Sequence, residues 1–343
     1  MDKLIGYELE IKQGKILSVQ INLLNRCTSK CKSCRKYTWP NDELSPDDLY
    51  RTLRVLKLLG LKTVVLSGGE PLLYKSIIEL VDYIYDELKL KCSIITTCIT
   101  NDENIIDMLG SEKIYRIHLS LDACDRQAYK EIRGVDAFDI VDRNIKAINA
   151  KRIERGLIPI RFSTTVSEMN YKDVKDIYDY AIKNRCIINY YLVHTFDFLK
   201  PTDEEDSVLY SLLEYIVKDE RERNSKISNA RELIIDYKYG EKHSVDCKCY
   251  IPSISCVINA NGDIYPCCRL LNDNGEYNNE HRQYAYGNIV GKSVRELFVE
   301  FKLNDKFKYP LDCGECKECG QRYYDMIRHL DKVKTGRKDV LFV

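Results

Sequence analysis

The strongest constraint on this chain of 343 residues is an alternation. Short apolar, β-branched runs at residues 16–24, 62–67, 93–97, 115–122, 158–166 and 187–194 alternate with stretches of helical spacing at 49–59, 72–88, 103–109, 138–155 and 171–184. Ser45-Pro46-Asp47-Asp48 reads as a helix start, with Ser at the N-cap and Pro at the first helical position. Such an alternation predicts a parallel sheet with right-handed crossovers. Ligands then gather at the C-terminal ends of the strands. Six β/α units are too few to close an eight-fold barrel. The expected fold is therefore α/β, a partial, laterally open (β/α)6 TIM-like barrel.

Chemistry-bearing residues fall where that fold would use them. Directly after the first run stand Cys27, Cys31 and Cys34 in Cys-x3-Cys-x2-Cys spacing. Three thiolates on one loop can hold three irons of a cubane, and a [4Fe–4S] cluster normally takes four. One iron is then left open, as a catalytic metal site requires. A zinc knuckle is the bland alternative. The second run ends in Gly68-Gly69-Glu70, where paired glycines allow a ligand close to the backbone and a carboxylate can accept from an ammonium. Cys98 and Asp122 end two further runs.

Composition narrows the class. Lys+Arg 53 balances Asp+Glu 53, so no long-range field favours nucleic acid or an anionic membrane. No apolar run reaches 18 residues, and residues 1–14 are charged and mixed, unlike a signal peptide. A cytoplasmic protein is expected, with reduced thiols, so its 15 cysteines read as metal ligands rather than disulfides. Cys92, Cys98, Cys124 and Cys186 read as small buried hydrophobes.

A second cysteine cluster lies near the C-terminus. Residues 255–258 and 263–265 flank Asn261-Gly262, a hairpin signal, and the hairpin would return Cys267 towards Cys249. Cys313, Cys316 and Cys319 supply further thiolates, while Cys256 on the hairpin strand reads as packing. Spacing alone does not separate zinc from iron–sulfur here. Helical spacing at 208–221 and 227–237 predicts a pair that caps the open barrel side or packs on the surface; 294–303 is also helical by pattern. The expected division is 1–200 for the barrel, 201–246 for a helical linker or cap, and 247–343 for a small cysteine-rich domain.

The triplet resembles that of the radical S-adenosylmethionine (SAM) superfamily. The stretch 67–73 is similar to its Gly-Gly-Glu motif. Ser120-Leu121-Asp122, residues 129–134 and residues 163–166 resemble the order seen in members with a C-terminal SPASM or twitch extension. The resemblance implies that SAM chelates the open iron, takes one electron and yields a 5′-deoxyadenosyl radical that abstracts hydrogen from a substrate. It implies Cys27, Cys31 and Cys34 as cluster ligands, Gly68, Gly69 and Glu70 at the SAM amino group, and Ser120 and Arg133 at its carboxylate or ribose. It also implies one auxiliary [4Fe–4S] cluster of twitch type on Cys249, Cys267, Cys313 and Cys316, with Cys319 or Cys247 as alternates, since no cysteine follows Cys319. Cys268 could return a hydrogen atom to a substrate carbon, as in similar peptide epimerases, or be a spare or alternative ligand. Three departures stand out: Ser33 where an aromatic is usual, Thr97-Cys98-Ile99 for Thr-Asn-Gly, and Ala123 for Gly. Tyr37 or Trp39 could pack the adenine instead.

Similar proteins modify peptides by epimerisation, crosslinking or oxidation, or oxidise small alcohols such as aminocyclitols. A peptide substrate ranks first, although a triplet starting at residue 27 leaves no preceding peptide-recognition domain. A flavodoxin- or ferredoxin-type electron donor is implied. A non-enzymatic iron–sulfur or zinc protein would explain the cysteines but not Gly68-Gly69-Glu70 or the β/α units.

Overall fold

The computed structural model describes residues 13, 15–34, 39–192, 203–239, 248–249, 251–267, 285–304 and 311–312. Six strands follow one another in parallel register: β1 Ser18–Asn22, β2 Thr63–Ser67, β3 Lys91–Thr96, β4 Ile114–Ser120, β5 Arg161–Val166 and β6 Ile187–Leu192. The crossovers carry α1 Pro46–Leu58, α2 Ile77–Asp82, α3 Glu103–Gly110, α4 Arg126–Arg133, α5 Phe138–Glu154 and α6 Val174–Lys183. Further on lie α7 Asp203–Glu222, α8 Ala230–Tyr239, β7 Lys248–Cys249, β8 Ser255–Ile258, β9 Asp263–Tyr265, β10 Gly287–Asn288, α9 Val294–Leu303 and β11 Leu311–Asp312.

Period-2 alternation assigns the two faces of the sheet. Val19, Ile21, Val64, Leu66, Ile94, Ile117, Leu119, Phe162 and Ile188 are fully buried in the core. Gln20, His118, Ser120, Ser163 and Thr165 alternate with them and are only half-buried. The inner face of the partial barrel is thus mixed and partly exposed, with Val65 and Ile95 half-buried among these polar residues.

The C-terminal hairpin does not stand apart from the barrel. β8 pairs in parallel with β1, from Ser18 opposite Ser255 to Ile21 opposite Ile258. The sheet then has nine strands in the order β10-β9-β8-β1-β2-β3-β4-β5-β6. An unpaired β1 would expose a row of backbone donors and acceptors, and β8 covers it. At the other end, the backbone leading into α8 covers β6. Ile188 N–H donates to Ile227 O at 2.8 Å, and Tyr190 exchanges two hydrogen bonds with the Asn229 amide. The helical pair α7 and α8 therefore covers a sheet edge; Tyr178 of α6 also bonds Asp219 at 2.9 Å.

Local chemistry explains where the expected elements shifted. The helix expected over 72–88 is broken into a 3-10 turn at Pro71–Leu73, α2, and a π-helical turn at Tyr83–Glu87. The cause is Glu70, whose carboxylate caps Leu72 N–H, and Tyr74, which is extended rather than helical. The short helix α4, not expected from spacing, is held by Asp125, whose side chain accepts from Gln127 and Ala128 N–H. Among the described residues no helix is long and apolar enough to cross a membrane.

Candidate active site

The loop after β1 is fixed by its neighbours' backbones. Leu23 N–H donates to Ser67 O at 2.9 Å, Gly69 N–H to Leu24 O at 2.7 Å, and Glu70 N–H to Arg26 O at 2.8 Å. From the other side, Lys30 N–H donates to Arg133 O at 3.0 Å and Lys32 N–H to Ile132 O at 3.1 Å. Cys31 is thereby clamped between two hydrogen bonds to the C-terminal turn of α4, whose last carbonyls lack helical partners. Asn25 and the Arg26–Glu43 ion pair tie the loop to residues 40–43.

Gly68 and Gly69 must be glycines for contact reasons. A Cβ on Gly69 would lie 2.1 Å from Arg26 O, and one on Gly68 would lie 2.5 Å from Leu24 O. The pair presses its backbone against the cysteine loop from β2.

Glu70, expected at the SAM amino group, is held by protein donors. Its carboxylate is fully buried and takes four protein donors: Thr96 Oγ1 at 2.6 Å, Thr97 N at 2.7 Å, Thr97 Oγ1 at 2.6 Å and Leu72 N at 3.1 Å. Burial raises its pKa, against those hydrogen bonds. Glu70 staples the glycine turn to the end of β3.

Arg133 lies in the same pocket, 6% exposed. Its Nη1 reaches Cys31 Sγ at 3.5 Å and its Nη2 pairs with Asp122 Oδ2 at 2.9 Å. Asp122 is anchored in turn by Thr165 N–H at 2.7 Å, and its carbonyl accepts from Asn170 Nδ2 at 2.9 Å. Ser120 sits half-buried on the inner face opposite Ser163. Sequence reasoning placed Asp122 at a strand end but not as the partner of Arg133. The Thr96-Thr97 cage of Glu70 was missed as well; its signal was two hydroxyls directly after a strand facing a Gly-Gly-Glu turn.

The thiols carry the mark of burial. Cys27 is pushed up to about 11 by desolvation, opposed by Ser29 N–H and reinforced by Glu70, Cys31 and Cys34. Cys31 is also raised by burial, with Arg133 opposing. Metal binding must therefore displace protons here. Among the described residues, no three His, Cys, Asp or Glu side chains converge closely enough to hold a single metal ion. A cubane does not ask for that, because each thiolate binds a different iron. Buried polar atoms without a hydrogen-bond partner gather on and beside this loop: Asn25 Oδ1, Thr28 Oγ1, Ser29 Oγ, Tyr129 OH and Arg133 Nε. Such orphans are rare in a finished interior. Together with three neighbouring thiols, they fit a site built around a polar cofactor.

At the auxiliary end, Cys249 and Cys267 both help raise the pKa of the buried Tyr286 hydroxyl, after desolvation, so both thiols lie near it. β7 pairs antiparallel with β11, setting Leu311 opposite Cys249 and Asp312 opposite Lys248. Cys247, Cys268, Cys313, Cys316, Cys319 and Tyr37 lie outside the described residues. Cys256, Cys92, Cys98 and Cys186 are buried as expected of packing residues; Cys124 is half-buried. Trp39 is buried.

Comparison with known proteins agrees with this geometry. Residues 21–181 match the radical SAM superfamily, and residues 247–320 match the SPASM iron–sulfur cluster-binding domain. A probable GTP 3′,8-cyclase of Methanocaldococcus jannaschii is 30% identical over 170 residues, 49% of this chain and 55% of that protein. One from Pyrococcus abyssi is 27% identical over 220 residues, 62% of this chain and 67% of that protein. The chain spans about half the length of the first of these relatives. Among solved structures, Streptococcus suis SuiB bound to precursor peptide SuiA superposes with a TM-score of 0.64 at 21% identity, covering 87% of this chain and 67% of that one. anSMEcpe with bound AdoMet gives 0.63 at 17% identity, covering 93% and 96%. The chain thus carries a radical SAM domain over residues 21–181 and, C-terminal to it, a SPASM domain over residues 247–320.

Proposed function

We propose that this radical SAM enzyme modifies a peptide, holding its SAM-binding [4Fe–4S] cluster on Cys27, Cys31 and Cys34. When bound, the cluster and SAM supply reductive cleavage of the sulfonium and a carbon radical that abstracts hydrogen. The observation that carries the reading is the cysteine loop itself. It is clamped by α4, pressed by Gly68-Gly69, and ringed by unpartnered polar atoms. The chain's own residues shape and orient. The Gly68-Gly69 backbone would hold the amino group of SAM, and Ser120 its carboxylate or ribose. The inner face receives the substrate.

Cys249, Cys267, Cys313 and Cys316 form our ligand set for one auxiliary cluster, with Cys319 and Cys247 as alternates. Cys268, next to a ligand, is our candidate hydrogen-atom donor. A flavodoxin- or ferredoxin-type protein supplies the electron. Support for a peptide is the SPASM match at 247–320 and the likeness of 87% of the chain to SuiB, which was solved with a precursor peptide. The archaeal relatives named for GTP cyclisation favour a second reading, a small polar molecule such as a nucleotide.

The test is anaerobic turnover with dithionite and SAM, reading 5′-deoxyadenosine by chromatography. Wild-type protein should form it and Cys31→Ala should not; equal formation by both refutes the assignment. Adding candidate peptides or GTP in parallel decides the substrate class by which one accelerates formation and changes mass.

A further inference from the structure

We propose that Asp122 and Arg133 form a donor unit that sets the reduction potential of the cluster held by Cys31. This rests on the functional reading above and adds to it a role for two residues through a sulfur. Arg133 is fixed at both ends relative to Cys31. Its carbonyl accepts from Lys30 N–H at 3.0 Å, and its Nη1 reaches Cys31 Sγ at 3.5 Å. The other arm of its fork is spent on Asp122 at 2.9 Å, and Asp122 is itself locked to β5 through Thr165 N–H.

The charge balance gives the pair its character. A buried carboxylate 2.9 Å from a buried guanidinium cancels most of its distant field. What survives at Cys31 is a short-range effect, a directed N–H on a ligating sulfur. Hydrogen bonds to cluster sulfurs are among the main determinants of iron–sulfur potential. A donor stabilises the more electron-rich, reduced form and so raises the potential. Asp122 touches neither sulfur nor substrate, and is a positioning residue that aims the donor. A second observation supports a donor-lined pocket. Tyr129 lies one helical turn before Arg133 on the same face of α4. It is fully buried, and its hydroxyl has no hydrogen-bond partner.

The experiment is a potentiometric titration of the full chain, reconstituted anaerobically and followed by electron paramagnetic resonance, with titanium(III) citrate as reductant. The cluster is identified as the one whose signal SAM perturbs, and its midpoint is measured without SAM. In Arg133→Gln the midpoint should fall by at least the amount that makes reduction tenfold less favourable, about 59 mV for one electron. Asp122→Asn discriminates between mechanisms. Loss of a negative charge alone would raise the midpoint, whereas release of a mis-aimed Arg133 lowers it. A fall in both variants, with iron content retained, supports the unit. An unchanged midpoint in Arg133→Gln, or a rise in Asp122→Asn, overturns it. If Arg133→Gln loses iron, Asp122→Asn alone decides by the sign of its shift. A wild-type chain with no SAM-responsive signal would instead defeat the functional reading itself.

Discussion

Asn22 Nδ2 donates to Asn259 Oδ1 across 3.2 Å, with both residues buried. The bond joins the last residue of β1, five positions before Cys27, to the first residue beyond β8 in the hairpin. Together with the parallel β1–β8 pairing, it makes one rigid sheet of the cofactor loop's support and the auxiliary hairpin.

That bond should matter for stability. Asn259→Ala leaves a buried amide donor unpaired, which costs about 1–3 kcal/mol. Urea denaturation checks this. A midpoint equal to wild type would mean that the contact carries no energy.

Gly69→Ala should fail at the site rather than everywhere. The added methyl meets Arg26 O at 2.1 Å, a backbone atom that cannot swing away. We expect iron uptake at the triplet to drop severalfold on anaerobic reconstitution. Gly156→Ala is the control: nothing lies within 4 Å of its Cβ, and only its φ of +65° is strained. It should lose about 1 kcal/mol of stability and keep its iron. Equal iron content in the two variants would contradict the close-approach argument.

Glu70→Gln separates a structural role from a ligand-binding one. A carboxylate accepts at both oxygens, while an amide presents its one NH2 group to the donor at either Leu72 or Thr97. Leaving one of those buried N–H groups unsatisfied costs about 1–3 kcal/mol. The thermal midpoint of metal-free protein should fall, since the four bonds exist without cofactor. A variant as stable as wild type that only binds SAM more weakly would instead support the ammonium-acceptor role.

Asp48 supplies a pH dependence away from the site. Burial works to raise its pKa, but the Ser45 hydroxyl, Gly291 N–H and Arg51 more than offset it and hold the group below its ordinary 3.8. A depressed carboxylate contributes stability that is complete above its unfolded value and is lost as pH falls through the folded one. Asp48→Asn should cost about 1.5–3 kcal/mol at pH 7. The gap between the two proteins should close as acid is added below pH about 4. A gap that stays constant down to pH about 2 would rule out the charged form as the anchor.

Much of this was legible in the chain. Four of the six barrel strands lay within their apolar runs, β3 and β4 began two residues and one residue earlier, and Ser45-Pro46 began α1 as written. The site's main-chain scaffold was legible only in outline. Spacing gives three cysteines after a strand, but not that Lys30 and Lys32 hang from the end of α4. That helix was missed because it buries only Tyr129, Ile132 and Arg133, too few apolar positions to mark a face, whereas α3 of equal length buries five residues. Partners distant in sequence, such as Arg133 with Cys31 or Asn22 with Asn259, are set by tertiary packing and leave no local trace. The Glu70 carboxylate illustrates the reverse: a motif located the residue, while its four protein donors left no local trace.

The central claim is that three thiolates leave one iron corner for SAM. The most direct measurement adds SAM to the reduced, anaerobically reconstituted chain and records its electron paramagnetic resonance. The account predicts that one signal changes on addition and that Cys31→Ala abolishes the responding signal. A spectrum indifferent to SAM, from protein that retains iron on all three cysteines, would contradict it.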